Sequence, residues 1–338
     1  MESETKHFLN CLKASALLLI INSHSDVFFP DKLRILATGG ALGNGVFFII
    51  SGYLTTIKSE QKIWNNTLFR FFRLYTPVYI SLFFYCLTEK NYLGWIHDTA
   101  SAVEVLLWPT PYWFVSTSFM CFVILVLCRK SWFEDSGQFA VFSVFVLAGY
   151  LVCYVFGIQE KYEYIVEDGY IFGKNIQFKC IYNFYLFSLG YHIKTANKQM
   201  RGESACLLTA ASLILFYVSK YLLQIYVLPM DYQMVTHLFV ITSAFGALNL
   251  VLGFEKNYIQ IVNKKLMDFI DRMSSISLEA YIIQLLVIPI FARIIMFRFP
   301  FNYLFSICLI LITAKLLHFV DRFLLKKLRK LLFQKKEA

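Results

Sequence analysis

Apolar runs of membrane length recur along this chain, separated by short polar or basic segments. About 20 helical residues cross the hydrocarbon core of a bilayer, each adding about 1.5 Å. Read with that length, the pattern predicts ten spans: 8–28, 43–57, 72–88, 112–128, 138–157, 179–193, 205–228, 235–253, 276–297 and 300–321. The second and sixth are short, which predicts tilt, a break or re-entry. Ser51-Gly52 is the candidate break. The stretch 101–108 is apolar but long enough only to lie at an interface. No long polar block remains for a soluble domain. The expected fold is an all-α polytopic membrane helix bundle of about ten transmembrane helices, with residues 1–323 as the membrane unit and 324–338 as a basic cytoplasmic tail.

Composition agrees with that pattern. The chain is 58% hydrophobic and 16% charged, against about 25% charged in soluble domains. Placing the N-terminus inside puts 21 of the 32 Lys and Arg residues on the cytoplasmic side and 8 on the other. Lys13, Lys220 and Lys315 fall within spans. That bias follows the positive-inside rule and predicts that both termini are cytoplasmic, as an even number of spans requires. The net charge of +10 therefore calls for anionic lipid headgroups and not for nucleic acid. The first apolar run flows into Asn22-Ser23-His24-Ser25-Asp26 with no small-residue cleavage site, so it reads as an uncleaved span. Eight scattered cysteines form no CxxC or Cys/His spacing. Neither a metal site nor a disulfide framework is expected, and no bound cofactor.

Two ionisable residues break the first run. Lys13 and His24 are eleven steps apart, so they fall on one helical stripe about 16 Å apart along the axis. Ionisable groups within a membrane mark function by default. A neutral imidazole at position 24 suits general-base work on a hydroxyl; the alternative is an interfacial histidine that ends a span. Lys13 suits an anion in a cytoplasm-facing cavity, or else snorkels to the headgroups.

Other positions carry weaker signals. Arg70 and Arg73, three apart, share a helix face, and two guanidinium forks there make a phosphate clamp or an ordinary positive-inside flank. Pro77 predicts a kink just beyond them. The glycine-rich run from Gly39 to Gly45 permits close backbone approach, or simply close helix packing, and leads into Ser51-Gly52-Tyr53. Trp113 fits an aromatic belt or the mouth of a site. Glu279 suits a basic partner or a helix N-terminus. Lys220, Lys315 and His318 are expected to snorkel.

Taken in order, these segments resemble the acyltransferase-3 family, multi-span membrane enzymes that modify cell-surface polysaccharides. Lys13-x10-His24 resembles its first-helix motif, Phe47-Phe48-Ile49-Ile50-Ser51-Gly52-Tyr53 its FFxxSG signature, and Arg70-Phe71-Phe72-Arg73 its RxxR segment. Trp113-Phe114 and Ser275 to Tyr281 are similar to weaker downstream motifs. Departures are lysine at 13 where arginine is usual, proline one residue late at 77, and Gln284 where many members carry histidine. The SGNH-type extracytoplasmic domain of some relatives is not expected.

The resemblance implies transfer of an acyl group, usually acetyl from acetyl-CoA as donor substrate, to a hydroxyl of a glycan or its lipid-linked precursor at the inner membrane. It implies His24 as the catalytic residue, Lys13, Arg70 and Arg73 as acyl-CoA contacts, and Ser51, Tyr53, Trp113 and Glu279 as substrate-binding or structural. Membrane lipids, acyl-CoA and the glycan are the expected partners. A transporter, flippase or polymerase of lipid-linked saccharides is the rival reading, since intramembrane charges and a broken helix suit those as well.

Overall fold

A computed structural model of the chain describes residues 3–57, 63–88, 98–109, 112–158, 176–197, 199–225, 233–253, 264–294 and 297–333. Lys58, Lys62, Lys90, Lys161, Lys174 and Lys256, all counted in the charge bias, lie outside these residues, as does the tail from 334. Among the described residues every regular element is a helix. Twelve α-helices appear: α1 (Ser3–His24), α2 (Gly40–Leu54), α3 (Ile63–Thr88), α4 (Thr99–Leu107), α5 (Trp113–Trp132), α6 (Ser136–Ile158), α7 (Ile176–Ala196), α8 (Gly202–Ile225), α9 (Gln233–Gly253), α10 (Lys264–Ser275), α11 (Ser277–Ile294) and α12 (Phe301–Phe333). Two short 3₁₀ turns, Asp26–Phe28 and Asp31–Leu36, join α1 to α2.

Each predicted apolar run falls on a helix, and 101–108 becomes α4. Among the described residues, five segments are long and apolar enough to cross a membrane: Asp31–Leu54, Gly202–Leu223, Met234–Gly253, Ser277–Ile294 and Phe301–Lys330. Trp113–Cys128 and Ser136–Val152 are shorter apolar helices. Exposed Leu207, Ile214, Phe145, Phe305 and Phe319 show what such helices offer to lipid. α12 runs without interruption through residue 323 to Phe333, so the basic residues after it extend the same helix. α10 carries its apolar residues at 266, 267, 269, 270 and 273 with charged residues at 264, 265, 268, 271 and 272, the period of a surface helix.

The chain divides into two compact units. The first holds residues 1–16, 41–55 and 120–267. In it α8 packs on α9, α6 on α7, and α7 on α9. The crossing of α2 and α7 is unusually close. A Cβ at Gly52 would overlap the Phe187 carbonyl, and a Cβ at Gly190 would overlap that of Ile49. Gly45 instead meets side chains, those of Val240 and Leu186, with a Cβ there coming to 3.1 Å from Leu186 Cδ1. The helix therefore does not break at Ser51-Gly52. Glycine is tolerated inside α2 because its missing side chain admits a second backbone.

The second unit holds residues 17–40, 56–119 and 268–338. Here α3, α11 and α12 pack on one another. α3 continues through Pro77 to Thr88, and that ring leaves the Arg73 carbonyl without its usual helical donor. Tyr75 and Tyr79 of α3 donate their hydroxyls to the carbonyls of Leu107 and Leu106 at 2.7 and 2.8 Å. Those carbonyls belong to the last turn of α4, where helical donors run out.

Candidate functional site

His24 is the last residue of α1 and is exposed. Its surroundings are built by the residues just before it. Asn22 Nδ2 donates to the Leu36 carbonyl at 2.7 Å and to the Thr38 carbonyl at 3.0 Å, while Tyr303 OH donates to Asn22 Oδ1 at 3.1 Å. Two carbonyls can only accept, so the amide has one orientation here. Ser25, fully buried, donates its hydroxyl to the Ile21 carbonyl at 2.8 Å and its N–H to the Asn22 carbonyl at 3.2 Å. These bonds satisfy carbonyls of the final helical turn. Gly39, at φ 109°, takes the backbone into the left-handed region as the chain enters α2. A Cβ on the next residue, Gly40, would overlap the Ser23 side chain.

The start of α12 closes the arrangement. Phe29 packs against Phe299 and Tyr303 with ring centroids at 5.0 and 5.1 Å, and Asn302 Nδ2 reaches the Phe28 carbonyl at 3.4 Å. Phe28 meets Phe291 of α11 edge-on at 5.9 Å. The turn after His24 is thus held by aromatic packing and by side chains from α12. A cation formed on His24 faces the negative end of the α1 dipole.

The remaining predicted residues fall in several places. Lys13 lies on the same helix as His24, half-buried, within the first unit. Ser51 and Tyr53, also half-buried, belong to that unit. Arg70 is half-buried and Arg73 exposed on α3, in the second unit with His24. Trp113 opens α5, edge-on to Phe114 at 6.4 Å, and Phe114 in turn packs on Tyr281 at 4.8 Å.

Glu279 is buried on α11, where His318 of α12 is hydrogen-bonded to it, Nδ1 to Oε1, at 2.6 Å. His318 therefore does not snorkel; its side chain is 19% exposed and faces a carboxyl. One turn on, Asp321 is buried as well, and the charges acting on it are those of Glu279, Arg73 and Arg322. Arg73 is thus close enough to act electrostatically on Asp321. Fifteen residues separate Tyr303 from His318, about 22 Å along α12. The His24 turn and the Glu279 cluster are separate places on one helix.

Other polar positions escape a reading by motif. Tyr150 and His237 are hydrogen-bonded through the hydroxyl and Nδ1, and His237 stacks on Tyr182 at 4.6 Å, all three buried. His237 is the ionisable residue within the run 235–253, and that alone marks it. Lys194, beyond the apolar run 179–193, donates to the Thr55 carbonyl at 3.0 Å past the end of α2, and burial lowers its pKa. Asn22 and Tyr303 carry no motif, since their bond joins residues 281 apart. Among the described residues no group of three or more His, Cys, Asp or Glu could hold a metal ion.

No curated protein and no solved structure matches the chain. The model of the acyltransferase-3 family, described as an acyltransferase domain, matches residues 6–318. That match takes in the end of α1 with its histidine, the arginines of α3, and α12 as far as His318, so the chain belongs to the acyltransferase-3 family.

Proposed function

We propose that this protein is a membrane O-acetyltransferase that moves the acetyl group of acetyl-CoA to a hydroxyl of a cell-surface glycan or its lipid-linked precursor. The observation that carries the reading is His24, exposed at the end of α1 on a turn secured from three sides, in a chain of acyltransferase family. In this reading His24 accepts the proton of the acceptor hydroxyl, whose oxygen attacks the thioester carbonyl. The carbon–sulfur bond breaks, and the coenzyme A thiolate leaves and takes up a proton. Arg70 and Arg73 bind phosphates of the donor. The exposure of Arg73 on α3 supports that role.

The same reading has about ten spans in the inner membrane with both termini cytoplasmic. Its support is the charge bias together with the helices found at every predicted run. Donor and acceptor then come from opposite faces.

Mass spectrometry of surface glycans from cells with and without the protein tests this. Loss of one acetyl mass at unchanged glycan length is expected. Loss of the glycan itself supports transport or polymerisation instead. His24→Ala should lower acetylation about 10²–10⁴-fold with the protein still in the membrane; full acetylation by that variant overturns the role of His24.

A further inference from the structure

The side chain of Asn22 makes three hydrogen bonds, and each goes to a different part of the second unit. Leu36 ends the second 3₁₀ turn, Thr38 begins the approach to α2, and Tyr303 belongs to the first turn of α12. Both amide hydrogens are used and the amide oxygen accepts, so the group is spent on holding the last turn of α1. Two residues further along a helix is a rotation of about 200°. Asn22 therefore grips one side of α1 while His24 stands on the opposite side, exposed.

We propose that Asn22 is a positioning residue for His24. By tying the end of α1 to residues 36 and 38 and to Tyr303, it fixes the direction in which the imidazole meets the acceptor hydroxyl. The inference rests on the reading of His24 as the general base. The chemistry it depends on is geometric: a general base must lie within hydrogen-bond reach of the proton it takes, and a misplacement of about 1 Å can cost about 10²-fold. Asn22 touches neither the reacting atoms nor the donor in this account. Its loss should therefore appear in the turnover step and leave the donor's binding alone. Tyr303 acts through Asn22, one step further from the imidazole.

The test uses the full-length protein in lipid nanodiscs, labelled acetyl-CoA as donor, and membranes from cells lacking the protein as the source of acceptor. Rates are normalised to folded protein. Asn22→Ala should lower kcat about 10- to 100-fold while KM for acetyl-CoA stays within about twofold. Asn22→Asp keeps the shape but cannot donate to two carbonyls, so it should lose as much as Asn22→Ala. Tyr303→Phe removes one bond of the three and should lose a few-fold in kcat, again at constant KM. If Asn22→Ala fails to fold, Tyr303→Phe and Asn22→Asp carry the same comparison. Full kcat in Asn22→Asp or Tyr303→Phe overturns the inference, as does a loss confined to KM. A His24→Ala variant that keeps full rate overturns the functional reading itself. One that loses activity while the Asn22 and Tyr303 variants keep theirs overturns only the positioning role.

Discussion

His318 of α12 and Glu279 of α11 are hydrogen-bonded at 2.6 Å, with the Glu279 side chain 5% exposed. The second carboxyl oxygen, Oε2, has no partner among the described residues. Removing His318 would leave a buried carboxyl with neither oxygen satisfied. His318→Ala is therefore expected to cost about 1–3 kcal/mol of stability. Replacing both partners by leucine should cost less than the single change, because no polar group is then stranded. Thermal unfolding in detergent checks both; a double variant weaker than the single would contradict the account.

The α2–α7 crossing sets a second expectation. At Gly52 and Gly190 an added methyl would meet backbone, which cannot turn aside as a flexible side chain can. Gly52→Ala and Gly190→Ala should each lower the yield of folded protein, at a cost of about 1–3 kcal/mol or more. Because both force the same two helices apart, the double variant should cost less than the two single costs added together. Size-exclusion profiles of detergent extracts measure this, and a wild-type profile for Gly52→Ala would show that the helices have room.

Arg70 and Arg73 concern the donor. Each charge-assisted bond to a phosphate is worth about 1.5–3 kcal/mol, so Arg70→Ala and Arg73→Ala should each weaken acetyl-CoA binding about 10- to 100-fold. Lysine at either position keeps the charge without the fork and should fall between. Titration of acetyl-CoA against protein in nanodiscs gives the answer. Unchanged binding in both alanine variants would leave Arg73 only its engagement with Asp321.

Much of the helical layout was legible because membrane-length apolar runs leave few alternatives. Residues 264–275 were not, for their period is that of a surface helix and their lysines read as a loop. The supposed break at Ser51-Gly52 shows the same limit from another side. A glycine that weakens a helix and one that admits a neighbour look alike until the neighbour, Phe187, is known. His24 stood out as an ionisable residue in an apolar run. Asn22 did not, because two of its partners are backbone carbonyls and the third is 281 residues away. His318 has the sequence surroundings of a snorkelling residue and turns inward only because Glu279 is there.

At 33 residues, α12 is about 50 Å long. Near one end Tyr303 holds Asn22, and near the other the Arg329 guanidinium lies over the Phe69 ring at 5.9 Å. A rod fastened at both ends cannot slide along its axis without breaking one attachment. Arg322, Lys326, Lys327, Arg329 and Lys330 add an electrostatic collar that resists being drawn into hydrocarbon. α12, the longest helix among the described residues, thus ties the turn bearing His24 at one end to a cluster of basic residues at the other.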